Sequence, residues 1–333
     1  MIKTPHPRNI LALSAFTLAA STASADLLVY EGFNYGGSDT AINGIAVGGG
    51  AVGLTGSYAT ATGTSGSGNT QASTYLATGL SFSNLSTTGG SLQQSVIPKI
   101  DLTKEYVYSS VALDTSATGD IYGSMLVNIA TSELTLGGDS SNSGISDLRV
   151  QDSSNLTGNA NSSMLTTAKR ASQAGVKAGA SYTANGPISG SNAINTNQTY
   201  LFITRYTNVG LAGGGTANLW VLDETQYDLW QADGGSEIDL ATYALMETSN
   251  SGTDTIAFDA TKSIRVGTGE FNLDFNSGSA NYSNLGELTV TYDEIRYGST
   301  LGDVVVVVPE SSQYSLILGA LLACFVGARR RRA

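Results

Sequence analysis

Residues 288–297 read Leu-Thr-Val-Thr-Tyr-Asp-Glu-Ile-Arg-Tyr. Leu288, Val290 and Tyr292 share one face of a strand, because side chains alternate with a period of two. Ile295 and Tyr297 have the opposite parity. One strand buries both sets only if an extra residue is inserted near Asp293-Glu294, so a β-bulge is expected there. Other segments rich in β-branched and aromatic residues, bounded by Gly, Asn, Asp or Ser, fall at 27–30, 75–82, 106–113, 121–129, 133–136, 148–151, 200–206, 217–223, 255–259 and 263–266. Residues 200–206 and 217–223 form the clearest hairpin, since four glycines in the connection 208–215 supply the positive φ of a turn. The Gly/Ser/Thr-rich stretches 36–68 and 137–144 read as long loops, and 240–246 as one short helix. Many strands, long loops and no βαβ pattern indicate an all-β fold, an antiparallel sandwich.

The two ends of the chain read differently from this middle. Lys3, His6 and Arg8 precede an apolar run at 10–20, followed by Ser21-Thr-Ala-Ser-Ala25. Ala23 and Ala25 fit the small-x-small rule, so cleavage by signal peptidase is expected after Ala25. The run is shorter than the ~20 apolar residues that span a bilayer. At the other end, Val308-Pro309-Glu310-Ser311 precedes a nearly uncharged stretch at 314–328, and Arg329, Arg330, Arg331 and Arg332 follow. A short apolar helix followed by arginines is a stop-transfer design, with the positive block kept on the cytoplasmic side. The expected organisation is a signal peptide over 1–25, a sandwich over 26–307 and a tail over 308–333.

The tail resembles the PEP-CTERM sorting signal of Gram-negative bacteria, whose consensus is Val-Pro-Glu-Pro; here Ser311 replaces the second proline. That resemblance implies recognition by an exosortase-type processing enzyme. It also implies a transient hold in the inner membrane, then delivery to the cell surface or extracellular matrix. An extracellular polysaccharide is a candidate partner. A second, weaker resemblance runs through the middle. Tyr30-Glu31-Gly32-Phe33, Asn218-Leu219-Trp220-Val221 and Tyr292-Asp293-Glu294-Ile295-Arg296-Tyr297-Gly298 look like landmarks of concanavalin A-like, laminin G-like sandwiches. Such a fold is a jelly roll of two curved sheets, often binding glycans on the concave face.

Charge and residue types limit the chemistry. Residues 26–308 hold 10 basic and 26 acidic residues, a net of −16. Nucleic acid needs a basic footprint and is not an expected partner. The single Cys324 lies in the tail and the single His6 in the signal, so the middle has neither residue type. No Ser-His-Asp or Cys-His nucleophile can be assembled from it. It offers no His/Cys zinc site, no haem or iron–sulfur site ligated through those residues, and no Walker-type loop.

Carboxylates remain. Glu237-Ile238-Asp239, read as a strand, places two acids on one face and resembles the start of the Glu-Ile-Asp-x-x-Glu motif of concanavalin-like glycoside hydrolases. The third position is Thr242, so the acid that retaining hydrolysis requires is missing. Asp223, Glu224 and Asp228 lie beside Trp220, Tyr227 and Trp230. Aromatic faces next to carboxylates make a sugar platform, with Trp220, Trp230, Asp223 and Asp228 as candidate glycan-binding residues. Asp139-Ser-Ser-Asn-Ser-Gly144 looks like part of an EF loop, but Val150 stands where the twelfth-position Glu belongs. No cofactor is expected; a sandwich calcium site built from Asp side chains and carbonyls stays open, with no ligands assigned. The leading reading is a non-catalytic surface or matrix protein. A lectin-like module and a carboxylate-only glycoside hydrolase are the alternatives.

Overall fold

The computed structural model describes residues 26–64, 71–96, 104–131, 144–153, 162–171, 175–183, 194–253, 255–271 and 288–306. In chain order the strands are β1 (Leu27–Glu31), β2 (Thr40–Ala41), β3 (Leu54–Thr64), β4 (Gln71–Leu76), β5 (Ser91–Val96), β6 (Lys104–Leu113), β7 (Gly119–Thr131), β8 (Gly144–Asp152), β9 (Ser162–Ala171), β10 (Gly175–Thr183), β11 (Thr199–Val209), β12 (Gly215–Leu222), β13 (Met246–Gly252), β14 (Lys262–Phe271) and β15 (Leu288–Gly298). The helices are α1 (Glu224–Ala232), α2 (Glu237–Tyr243) and α3 (Leu301–Val304). The strands form an antiparallel sandwich. One sheet runs β13-β12-β11-β7-β15-β5-β4-β2, with β1 also on β15; the other runs β10-β9-β8-β14-β6-β3.

Three layers result. Between the sheets lies the larger apolar cluster, which includes Val127, Phe202, Leu148 and Val266. The outer face of the nine-stranded sheet carries a second cluster, in which Leu126, Leu201, Ile203 and Leu222 meet Tyr227, Trp230 and Leu240 of α1 and α2 and Val304 of α3. That sheet is apolar on both faces because helices cover its back. Among the described residues the outer face of the six-stranded sheet belongs to neither cluster, although its central side chains Asp147, Arg149 and Arg265 are buried.

The bulge expected at Asp293-Glu294 is present. Asp293 pairs with Leu126 and Arg296 with Ser124, so β15 carries one residue more than β7 between them. Leu288, Val290 and Tyr292 before it, and Ile295 and Tyr297 after it, all enter the same inter-sheet core. The bulge also marks a change of partner. One edge of β15 pairs with β7 throughout, whereas the other pairs with β5 over residues 288–292 and with β1 over 295–298. Glu294 adopts φ 52 there, a left-handed conformation that costs a residue with a Cβ about 1–2 kcal/mol.

Three buried carboxylates satisfy the backbone left over at this junction. Asp293 Oδ2 accepts the Leu80 N–H (2.7 Å) and Glu294 Oε1 the Thr88 N–H (2.6 Å), both from the β4–β5 connection. Glu31 Oε1 accepts the Phe33 N–H (2.6 Å), and its Oε2 accepts the Tyr35 and Tyr58 hydroxyls (2.6 and 2.9 Å). Arg296 Nη2 closes on Glu294 Oε2 at 2.5 Å. A buried N–H without a partner would cost about 1–3 kcal/mol, so these acids hold the loops against the sheet.

Several sequence expectations are corrected. The strand expected at 75–82 ends at Leu76, because Leu80 turns under the bulge to reach Asp293. The stretch 36–68, read as loop, contains β2 and β3; β3 is the edge strand on β6, and small and Thr side chains suffice there. Residues 255–259 contribute only an isolated bridge, Ala117 with Phe258. The short helix begins at Glu237 rather than at residue 240, and β13 follows directly. The strands β5, β9 and β10 and helix α1 had no expectation. The segment 133–136, the fragment 139–143, the leader with Ala23 and Ala25, and the tail with Val308, Pro309, Glu310 and Arg329 to Arg332 lie outside the described residues. Among the described residues no helix is long and apolar enough to cross a membrane.

Burial pushes the Asp293 carboxyl up to about 8, reinforced by Glu294 and Glu31 and opposed by the two N–H donors. Burial also raises Glu31, against its three donors. A carboxyl raised in the fold binds its proton more tightly than in the unfolded chain. Its contribution is therefore complete below about pH 4 and is lost as pH rises through about 8. The expected slope is at most about 1.4 kcal/mol per pH unit. Urea midpoints of the wild type are expected to fall across this window, and those of Asp293→Asn to fall less steeply.

Candidate functional site

The acids and indoles singled out in the sequence do come together, but as one layer of the fold. Trp230 is 1% exposed and Trp220 6%. Trp230 Nε1 donates to the Ser236 carbonyl (2.7 Å), and its ring meets Tyr227, which in turn meets Phe82 edge-on. Trp220 Nε1 donates to Glu247 Oε1 (3.2 Å). Asp223 is the N-cap of α1, its Oδ1 accepting the Gln226 N–H (2.9 Å). Asp228 accepts the Ser83 hydroxyl and Glu224 the Ser83 N–H, tying α1 to the β4–β5 connection. The indole faces are thus packed inside the protein, and the nearby carboxylates position a helix.

Glu237-Ile238-Asp239 opens α2 rather than a strand, because Ser236 stands at the N-cap position and acids are favoured in a first helical turn. Glu237 bridges Arg205 Nη1 (2.6 Å) and the Tyr122 hydroxyl (2.6 Å), while Arg205 Nη2 also meets Asp120 (2.6 Å). Asp239 accepts from Ser236. These carboxylates fasten α2 to the nine-stranded sheet. Among the described residues no group of three or more His, Cys, Asp or Glu is arranged to hold a metal.

The outer face of the six-stranded sheet has a different character. Alternation sends Leu148, Val150, Ile264 and Val266 into the core, and their neighbours Asp147, Arg149 and Arg265 to the opposite side. Pairing places them in two adjacent rows: Tyr108, Gly267, Asp147 and Thr167 in one, Ser110, Arg265, Arg149 and Leu165 in the next. Asp147 Oδ2 receives both guanidiniums, Arg149 Nε at 2.8 Å and Arg265 Nη2 at 2.9 Å. Burial works against the Asp147 charge, yet the two arginines outweigh it and hold the carboxyl below its usual range. Arg265 Cζ lies 3.9 Å from the Tyr108 ring centroid, and Tyr106 and Tyr108 lie 4.6 Å apart. Burial, then the Asp147 charge, raises the Tyr108 hydroxyl and keeps it protonated.

Gly267 makes this packing feasible. A Cβ there would come within 2.4 Å of both Asp147 Oδ1 and Tyr108 Cδ1. The site is also incompletely satisfied. Asp147 Oδ1, Arg149 Nη1, Ser163 Oγ and Ser263 Oγ are buried with no hydrogen-bond partner, each such atom costing about 1–3 kcal/mol. The sequence held one signal for this face, the apolar–polar alternation of residues 148–151 and 263–266. It held none for the pairing of β8 with β14, which are distant in the chain.

The chain matches no protein-family model and no curated protein sequence. Among solved structures it is similar to an endo-β-1,4-glucuronan lyase from the fungus Trichoderma reesei, at 11% identity over 83% of this chain and 97% of that one, with a TM-score of 0.43. An alginate lyase mutant in complex with alginate trisaccharide aligns at 13% identity over 62% and 80%, with a TM-score of 0.35. Lectin I from Ulex europaeus aligns at 7% identity over 72% and 97%, with a TM-score of 0.34. The likeness is one of sandwich architecture.

Two measurements check the interior placement of the indoles. Trp230→Ala is expected to lower unfolding free energy by about 3–5 kcal/mol in urea denaturation. Adding a bound saccharide is expected to leave tryptophan emission unchanged, since both indoles are enclosed by protein.

Proposed function

We propose that this chain is an exported, non-catalytic protein of the bacterial cell surface that associates with extracellular polysaccharide. The observation that carries the reading is the sequence of the two ends, an apolar run closed by Ala23-Ser-Ala25 and a tail in which Val308-Pro309-Glu310 precedes an apolar stretch and Arg329 to Arg332. Trp220, Trp230, Tyr108, Arg149 and Arg265 are each 6% exposed or less, so the polysaccharide contact is assigned to none of them.

Binding is favoured over turnover for physical reasons. The phenol of Tyr108 is held protonated and is a poor base. Glu31, Asp293, Glu294 and Glu237 each already accept hydrogen bonds from protein donors. The middle of the chain has no His or Cys to supply another nucleophile or base.

Export and sorting rest on the sequence of the two ends. Signal peptidase removes residues 1–25, the apolar stretch 314–328 holds the chain in the inner membrane, and an exosortase-type enzyme processes the tail that begins at Val308-Pro309-Glu310. The partner at the surface is an extracellular polysaccharide. Deleting residues 309–333 is expected to shift the protein from the membrane and surface fractions to the soluble exported fraction; unchanged retention and processing overturns the sorting role. A glycan array probed with the purified chain is expected to give binding, and an array with no binding overturns the polysaccharide association.

A further inference from the structure

The connection between β4 and β5, residues 77–90, carries no titratable side chain of its own. Acids elsewhere in the fold hold its backbone. The Ala77 N–H donates to Asp39 Oδ1 (2.8 Å), the Leu80 N–H to Asp293 Oδ2 (2.7 Å), the Ser83 N–H to Glu224 Oε1 (3.1 Å) and the Thr88 N–H to Glu294 Oε1 (2.6 Å). The Ser83 hydroxyl donates to Asp228, and the Ser86 carbonyl accepts Arg296 Nη2 (2.7 Å). Backbone partners are fewer: the Ser86 N–H reaches the Val306 carbonyl and the Gly90 N–H the Phe33 carbonyl. Ser83 itself is held at φ 44, a left-handed conformation that a residue with a Cβ avoids. Phe82 and Leu85 belong to the outer apolar cluster, where Phe82 meets Tyr227 with ring centroids 5.4 Å apart. Segments held mainly by side chains, outside a strand ladder, open at lower free energy than sheets.

Beneath this segment Asp293, Glu294 and Glu31 are all buried. The charged groups around Asp293 come from few elements. Its own strand brings Glu294 and Arg296, which meet at 2.5 Å. From β1 come Glu31 and Tyr30, the Tyr30 hydroxyl donating to Glu294 Oε1 (3.2 Å), while Tyr35 and Tyr58 donate to Glu31. Its pair on β7 is Leu126, and β5 ends its pairing at Leu92. Glu224 and Asp228 of α1 lie across the connection at Ser83, and Asp39 lies at Ala77. The connection itself presents Gly79, where a Cβ would stand 2.8 Å from Asp293 Oδ2. Arg296 is the one cation in this set, and Glu294 already engages it. Burial, then the charges of Glu294 and Glu31, push the Asp293 carboxyl up to about 8. Lifting the connection hydrates that carboxyl without breaking a strand pair.

We propose that residues 77–90 form a pH-latched flap, which lifts from the nine-stranded sheet more often as pH rises while both sheets stay paired. The closed flap retains the Asp293 proton, and opening hydrates the carboxyl and releases that proton to solvent. A proton held only in the closed form stabilises it fully at acid pH. The hold weakens from the ordinary carboxyl range up to about pH 8 and changes no further above it. Opening also frees Ser83 from its left-handed conformation and uncovers the Tyr227 ring that Phe82 meets.

The test is hydrogen exchange of the full chain in mild detergent, followed by mass spectrometry from about pH 5 to about pH 9 and corrected for the intrinsic exchange rate. Protection of peptides from 77–90 is expected to fall by up to about tenfold per pH unit, the effect of one proton, and to level off above about pH 8. Peptides from β7 and β11, each paired on both edges, are expected to stay better protected at every pH. Asp293→Asn is expected to remove the pH dependence from 77–90. If that variant does not fold, Phe82→Leu reads the same opening: protection of 77–90 falls at every pH, with its slope and the protection of β7 and β11 unchanged. Flap protection that is constant with pH overturns the inference. So does protection equal to that of β7 and β11 throughout, which means that the flap opens only when the whole sandwich unfolds, and so does an unaltered slope in Asp293→Asn.

Discussion

The fold depends on one discontinuity, the point in β15 where its edge changes partner from β5 to β1. A strand that pairs with two different neighbours in succession must leave backbone groups without a ladder partner between them. Asp293, Glu294 and Glu31 supply acceptors for those groups from the interior. The cost is large, because three acids are buried within one region, and burial outweighs the donors strongly enough to raise Asp293 and Glu31. Only Glu294 has a cation at contact distance, Arg296, which also donates to the Ser86 carbonyl and so binds the β4–β5 connection from its far end. Strained backbone, buried charge and loop anchoring coincide in a few residues because one topological event requires all three.

The two sheets divide the remaining work. The nine-stranded sheet is clad on both faces, and its charged side chains, Arg205 with Asp120 and Glu237 among them, secure the helical cover. The six-stranded sheet keeps one apolar face for the shared core and one whose central side chains, Asp147, Arg149 and Arg265, are polar and buried. Arg149 and Arg265 pair in one row there and converge on Asp147 in the next.

How much of this was legible in the sequence depended on the range of the interaction. The bulge was legible because it is a local parity change, from Tyr292 to Ile295, that no regular strand accommodates. Strands with large inward residues, such as 106–113 and 200–206, were legible for the same reason. The strands β3, β9 and β10 were not, because their Thr, Ser, Ala and Gly residues lack the bulk that marks a buried face; neighbouring strands supply it. Trp220, Trp230, Asp223 and Asp228 were read as a surface group from proximity in sequence. In the structure α1 folds back on β12, which brings the same residues together inside the protein. Glu237 and Asp239 were placed on a strand because alternation at two positions does not distinguish a strand from the first turn of a helix. The Asp147–Arg149–Arg265 group joins strands far apart in the chain, and no local pattern announces it.

The pairing of β1 with β15 has a consequence for how the chain is made. Leu27 lies opposite Gly298, and the Ser299 N–H donates to the Asp26 carbonyl at 3.3 Å. The first described strand is thus bedded against the last described one. Contacts of such long sequence separation form late and slowly, and β5 and β7 also wait for the same strand. The sandwich therefore lacks its keystone until residues 288–298 are free to pair, however much of the preceding chain is already available.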